Sequence, residues 1–147
     1  MTRQESISYS FLESDRIWPP LIGPDRSHPF VKALVDVLTR LPDDAYEAVE
    51  EFVYFVVEHP GFTAVNVPFK RSYPSLKGGV TIRFDTIVIF HTALKYSLKA
   101  LVGLIVHELA HSFVDNPDYQ SDEQGADSQA MRWGFDKELD MLKMEQQ

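Results

Sequence analysis

The run from Leu98 to Phe113 is the feature that most restricts what this chain can fold into. Its apolar residues recur nearly all round a helix, so the run predicts a helix that is buried on most of its faces. The same run contains His107-Glu108-Leu109-Ala110-His111, which places three ionisable side chains in an apolar helix. Burying an unpaired polar group costs about 1–3 kcal/mol, so these groups need a common compensation. A bound metal ion would provide it.

The spacing of these residues predicts how such an ion would be held. Residues four apart share one face of a helix, so His107 and His111 can reach the same ion. Glu108 lies one position further round, where its carboxylate can act as general base on a water at an open coordination position. The chain contains no cysteine, so the remaining ligands must be His or carboxylate. We therefore expect Zn²⁺ as cofactor and Glu108 as catalytic residue.

A catalytic zinc site generally has three protein ligands, so one more is required. The metzincin continuation needs Gly at position 114 and His at position 117, whereas the chain has Val114 and Pro117. Glu123 and Asp127 are four residues apart, so one can ligate while the other accepts the N–H of a ligating histidine. Further acidic residues are alternatives for the third ligand: Asp115, Asp118 and Asp122.

Two sequence motifs together resemble a known family. His107-Glu108-Leu109-Ala110-His111, followed by Glu123-Gln124-Gly125-Ala126-Asp127 and Trp133-Gly134-Phe135, is similar to the gluzincin metallopeptidases. The compact minigluzincins and the short bacterial or phage-type metallopeptidase domains are the most similar members. The resemblance covers roughly residues 80 to 135, and the eleven-residue gap between the first two motifs is shorter than in the large gluzincins.

The resemblance implies a zincin-like fold, in which a small twisted sheet packs on an active-site helix and a C-terminal glutamate helix. It implies a metal site with the ligands His107, His111 and Glu123, with Asp127 in contact with a ligand. The expected function is that of a zinc metallopeptidase that hydrolyses peptide bonds of a peptide or protein substrate through a zinc-bound water activated by Glu108. The alternatives are a catalytically silent or latent zincin-fold binding module, and hydrolysis of a non-peptide amide.

Hydrophobic periodicity predicts two N-terminal helices that meet at Leu41-Pro42, the second continuing from Tyr46 to about Val57. Partly alternating, β-branched stretches predict two or three short strands, at residues 62–69, 80–84 and 87–90. Ser121 and Gln124 have the spacing of a capping box, which predicts a last helix from there to about Leu142. These elements indicate an α+β fold.

Proline and glycine set the expected domain organisation. They are frequent from Trp18 to Pro29, so residues 1–28 are interpreted as an extended Pro-rich arm and residues 29–147 as a single domain. Such an arm could lie in the cleft and keep an enzyme latent. Four side chains are candidates for stabilising an oxyanion: Tyr73, His91, Tyr96 and Tyr119.

Charge and hydropathy limit the expected partners. A net charge of −8 repels phosphate backbones, and the basic residues are dispersed along the sequence, so nucleic acid is not expected as a partner. The N-terminal residues lack the apolar stretch of a signal peptide and no run approaches the length of a membrane span, so no membrane partner is expected and the cytoplasm is the default location.

Overall fold

The computed structural model describes residues 1–58, 64–74, 77–114 and 119–147. In these ranges it contains six α-helices and one four-stranded mixed sheet, which confirms the α+β class. The helices are α1 Arg3–Ile7, α2 Pro29–Arg40, α3 Asp43–Phe52, α4 Leu98–His111, α5 Tyr119–Arg132 and α6 Asp136–Glu145. The strands are β1 Ile17–Trp18, β2 Val53–Glu58, β3 Ala64–Tyr73 and β4 Val80–Phe90. None of the helices in these ranges is both long and apolar enough to cross a bilayer.

Within the first 28 residues, residues 3–12 form helical turns and residues 17–18 a short strand, in place of the expected extended arm. Helix α1 continues into a π-helical turn at Ser8–Leu12, and β1 pairs in parallel with β2. The physical reason is that every proline and glycine of this segment lies beyond residue 18, so the preceding residues are free to form a helix. Ile7 and Phe11, four positions apart, are both buried in the main core.

Two N-terminal helices, α2 and α3, are present, but the second is shorter than predicted. It ends at Phe52, and residues 53–58 form strand β2. Prediction of a helix to Val57 was wrong because this stretch consists of β-branched and aromatic residues, which pack well on a pleated surface. Its side chains alternate, with Val53, Phe55 and Val57 buried.

The sheet has the strand order β1-β2-β4-β3. Strand β2 runs parallel to β4, whereas β3 is antiparallel to β4 and lies at the edge. The two strands predicted at 80–84 and 87–90 are one continuous strand, and the strand predicted at 62–69 extends to Tyr73, with residues 62 and 63 outside the described ranges. Ile87 and Ile89 join the core, whereas residues 80–84 are exposed.

Helix α4 begins at the N-cap Ser97, whose hydroxyl accepts a hydrogen bond from the amide of Ala100. Its residues from Ala100 to Val106 are all buried, as the apolar run predicts. Asp115-Asn116-Pro117, a run that disfavours continuation of the helix, lies outside the described ranges. Helix α4 packs between the sheet and helices α2, α5 and α6.

The single C-terminal helix predicted from Ser121 to Leu142 is two helices, α5 and α6. They are separated at Gly134, which has a φ of +92°, a conformation that favours glycine. The amides of Gly134 and Phe135 donate to the carbonyls of Met131 and Ala130, which is a Schellman motif that ends α5. The predicted N-cap at Ser121 was also wrong, because α5 already begins at Tyr119.

Candidate metal centre

Three predicted side chains meet at the C-terminal end of α4. His107, Glu108 and His111 each offer one ligand atom, and these atoms lie within 4.8 Å of one another. Glu108 is buried, with 8% of its surface exposed, and the two histidine side chains are 12% exposed. The helical spacing of four residues therefore brings both imidazoles to one point, as the sequence predicts.

Glu123, on the first half of α5, completes this group. Its Oε1 lies 2.8 Å from His111 Nε2 and its Oε2 lies 3.1 Å from His107 Nε2. The two Nε2 atoms are 3.2 Å apart. One carboxylate thus contacts both histidines, and the nearest polar atoms of all three side chains are directed at a common point.

The opposite nitrogen of each ring also contacts a carboxylate of α5. His107 Nδ1 lies 2.8 Å from Asp127 Oδ1, which is the contact that the sequence predicts for Asp127. His111 Nδ1 lies 2.6 Å from Asp122 Oδ2. The sequence offers Asp122 only as an alternative third ligand, whereas the structure places its carboxylate beside Nδ1 of His111. The spacing of Asp122 in the sequence does not distinguish these two roles.

These contacts place a proton on the Nδ1 atom of each ring. An ionised carboxylate only accepts hydrogen bonds, so each Nδ1–H donates a hydrogen bond to its aspartate. The Nε2 atoms of His107 and His111 lie 3.2 Å from each other and 2.8–3.1 Å from the two oxygens of the Glu123 carboxylate. Lone pairs on these atoms repel one another unless a proton or another cation lies between them. The arrangement can therefore hold a metal ion or bound protons.

Burial and charge shift the pKa values of the surrounding groups. Burial by itself lowers the pKa of His107, but the hydrogen bond to Asp127 and the charge of Glu108 outweigh it and raise that pKa above its ordinary value. The hydrogen bond from His107 lowers the pKa of Asp127, and Lys143 Nζ, 3.4 Å away, adds to this effect. Burial raises the pKa of Glu108, and the two nearby histidines offset only part of the rise.

The centre lies at the bottom of a cleft. One wall consists of residues on β3 and β4 and the other of residues on α6. Glu108, Glu123 and Asp127 all line it, together with both histidines. Of the oxyanion candidates, Tyr73, His91 and Tyr96 are not among the described residues that line the cleft, and the side chain of Tyr119 lies outside the described part. None of residues 1–28 lines it either.

Two side chains of the sheet anchor the end of α4. Asn66 Nδ2 donates to the carbonyl of Glu108 and to Ser112 Oγ, both at 2.8 Å. Arg83 Nη2 donates to the carbonyl of Ser112 at 2.7 Å and to Asp85 Oδ2 at 3.0 Å. Sequence reasoning missed both anchors, because they join residues that are between 29 and 46 positions apart.

The remaining third-ligand alternatives, Asp115 and Asp118, lie outside the described residues.

The comparisons with known proteins give no match: no family model, curated protein or solved structure is significantly similar to this chain. The function of the centre therefore has to follow from its own donor atoms, their distances and their surroundings.

Proposed function

We propose that the protein is a zinc-dependent peptidase whose ion is held by His107, His111 and Glu123. The observation that carries the proposal is the convergence of their side-chain nitrogen and oxygen atoms, which lie 2.8–3.2 Å apart. Ligand bonds of about 2.0–2.1 Å at the tetrahedral angle place donor atoms about 3.3 Å apart. The two Nε2 atoms, 3.2 Å apart, thus have nearly the separation that a tetrahedral zinc ion requires, and the Glu123 carboxylate lies beside both.

The chemistry of the donors favours zinc over other common ions. Two imidazoles and one carboxylate suit zinc, whereas magnesium and calcium take oxygen ligands. Asp127 and Asp122 each hold one imidazole by its Nδ1, which is the usual arrangement around a histidine that binds zinc. Three protein ligands leave one position open, as in catalytic rather than structural sites. When bound, zinc supplies a Lewis acid and lowers the pKa of a coordinated water toward roughly 7.

Glu108 is suited to move the proton in hydrolysis. Its carboxyl lines the cleft beside the proposed ligands, and burial raises its pKa toward the operating pH of a general base. We infer that Glu108 takes the proton of the attacking water and then delivers it to the leaving amine. Asn66 Nδ2 donates to the backbone carbonyl of Glu108 at 2.8 Å, so the carboxylate is attached to a fixed backbone.

The surroundings support the zincin-like interpretation of the fold. A mixed sheet covers one side of α4, and α5 supplies the carboxylates from the other side. The latent alternative required residues 1–28 to occupy the cleft. None of them lines it, and Ile7, Phe11, Leu12 and Ile17 pack in the core. A catalytically silent metal-binding module remains the alternative, and it predicts zinc binding without cleavage of peptides.

The first test is the metal content of the purified protein by elemental analysis. We expect about one zinc per chain, and loss of the ion in His107→Ala and in Glu123→Ala, because each removes a ligand. His91→Ala is the matched control, since His91 does not line the cleft, and it should retain zinc. Protein that binds no zinc even after reconstitution would contradict the proposal.

The second test separates hydrolysis from binding. Glu108→Gln should retain zinc and lose turnover of a peptide library by about 10²–10⁴-fold, the usual contribution of a general base. Unchanged turnover in this variant would contradict the role of Glu108. A wild-type chain that binds zinc but cleaves neither peptides nor small amides would favour the silent module.

A further inference from the structure

The hairpin of β3 and β4 has a charge opposite to that of the rest of the chain. Residues 64–84 contain four of the 14 Lys and Arg residues and none of the 22 Asp and Glu residues. The rest of the chain therefore carries ten basic against 22 acidic side chains. The four basic residues are Lys70, Arg71, Lys77 and Arg83, and the hairpin pairs Lys70 with Arg83 across its strands.

Two of these cations lie side by side on the wall of the cleft. Lys70 is the direct cross-strand neighbour of Arg83, and both side chains line the cleft that contains the metal centre. Like charges directly opposite each other destabilise an antiparallel pair. The buried carboxylate of Asp85 forms an ion pair with Arg83 and offsets its charge. No acidic side chain among the described residues forms an ion pair with Lys70. The pair therefore keeps a net positive charge toward the cleft.

Arg83 is held in a fixed position. Its guanidinium donates to Asp85 and to the carbonyl of Ser112, and it lies 4.0 Å from the centre of the Phe52 ring. Ser112 directly follows the histidine at the end of α4, so this cation adjoins the metal centre. A guanidinium that is already oriented loses little entropy when it binds an anion.

We propose that Lys70 and Arg83 form a subsite for a carboxylate of the substrate, so that the cleft selects acidic peptides. This inference rests on the proposed peptidase function and adds a substrate class to it. The acidic groups of the metal centre all lie on the two helices α4 and α5. Of the described cations that line the cleft, Lys143 of α6 pairs with Asp127, whereas Lys70 and Arg83 lie on the hairpin. The carboxylate can come from an internal Glu or Asp or from the C-terminus of the peptide.

The test measures binding without turnover, by fluorescence anisotropy of labelled peptides with the Glu108→Gln protein. Three peptides of equal length differ only in a pair of residues that is Glu, Gln or Lys. Each is prepared with a free and with an amidated C-terminus. We expect the Glu peptide to bind roughly 3- to 10-fold more tightly than the Gln peptide, as for one or two charge-assisted contacts. If the C-terminus supplies the carboxylate instead, all three free-acid peptides should bind more tightly than their amidated forms, by the same factor.

A charge reversal makes the test specific. Lys70→Glu, added to the Glu108→Gln protein, should reverse the order so that the Lys peptide binds most tightly. Arg71→Glu is the matched control, because it changes the charge equally on the neighbouring residue, whose side chain points to the opposite face of the strand. It should leave the order unchanged. Equal binding of all three peptides with no loss on amidation, absence of any binding, or an equal effect of both reversals overturns the subsite.

The outcome is independent of hydrolysis. A chain that binds zinc and cleaves peptides without any preference for acidic ones loses only the subsite. A chain that binds acidic peptides in a manner that depends on Lys70, but neither holds zinc nor cleaves them, keeps the subsite and loses the peptidase function. Salt should weaken the preference, because both cations are partly exposed to solvent.

Discussion

A Cβ atom added to Gly103 of α4 would lie 2.4 Å from the carbonyl oxygen of Glu138 in α6. The two helices therefore approach each other so closely that no side chain fits between them at this point. Glu138 is fixed in turn by Arg40 of α2, whose Nη2 lies 3.2 Å from its Oε1. One residue without a side chain thus sets the depth at which the helix of the metal centre is packed.

We expect Gly103→Ala to lower the free energy of unfolding by about 1–3 kcal/mol, because the obstacle is backbone and cannot rotate away. Urea denaturation measures this loss. Gly125→Ala is the matched control: its added Cβ would meet the side chain of Val114 at 2.9 Å, which can change rotamer, and alanine favours the helix. A loss in Gly125→Ala as large as that in Gly103→Ala would contradict this account.

The two aspartates beside the histidines should tune the affinity for zinc. We expect Asp127→Asn and Asp122→Asn each to weaken zinc binding about 10- to 100-fold without abolishing it, because the hydrogen bond that orients the ring loses its charged acceptor. Competition with a chelator of known affinity measures the change. Asp140→Asn, an exposed residue of α6, is the control and should leave the affinity unchanged. Wild-type affinity in both variants would show that the two contacts do not support the site.

Glu50 should contribute a part of the stability that depends on pH. Hydrogen bonds from Ser6 and Ser10 lower the pKa of Glu50 below its ordinary value, and burial opposes them only partly. The folded state therefore binds this proton less tightly than the unfolded state. Its contribution is present above the unfolded pKa, about 4.3, and is lost as the pH falls through the lower folded pKa.

Glu50→Gln tests this directly. We expect the variant to lose roughly 1–2 kcal/mol at pH 7, the usual contribution of hydrogen bonds to a charged group. The difference from wild type should shrink as the pH is lowered toward 3. Thermal unfolding at a series of pH values measures it, and a difference that stays constant with pH would contradict the role of the charge.

Removing residues 1–28 should unfold the domain rather than activate it. The segment places four large apolar side chains in the core, each worth about 1.5–3 kcal/mol when fully buried: Ile7, Phe11, Leu12 and Ile17. Their sum is comparable with the whole stability of a typical domain, ~5–15 kcal/mol. Circular dichroism of the shortened chain would show the loss of structure. A folded chain with increased peptidase activity would instead support the latent alternative.

Local spacing was enough to predict the centre of the site. The positions of His107, Glu108 and His111 depend only on the period of one helix, and that helix is marked by an unbroken apolar run. The contact between His107 and Asp127 was predicted from a resemblance and lies where expected. The ligand roles of these residues stay predictions until metal is measured.

Features that depend on distant residues were not predictable in this way. Residues 53–58 fit a helical period as well as a strand, and their pairing with β1 and β4 decides between the two. The anchors Asn66 and Arg83 reach the end of α4 from the sheet, and nothing in their local sequence indicates this contact. The partner of His111 depends in the same way on how α5 docks against α4.

The division of the centre between α4 and α5 links its occupancy to the mobility of a helix. His107 and His111 belong to α4, whereas the carboxylates of the described residues that contact their rings all belong to α5. An ion at this point ties the two helices together, so part of its binding free energy goes into docking α5. Amide hydrogen exchange in α5 should therefore slow on loading with zinc, while exchange in α2 stays the same.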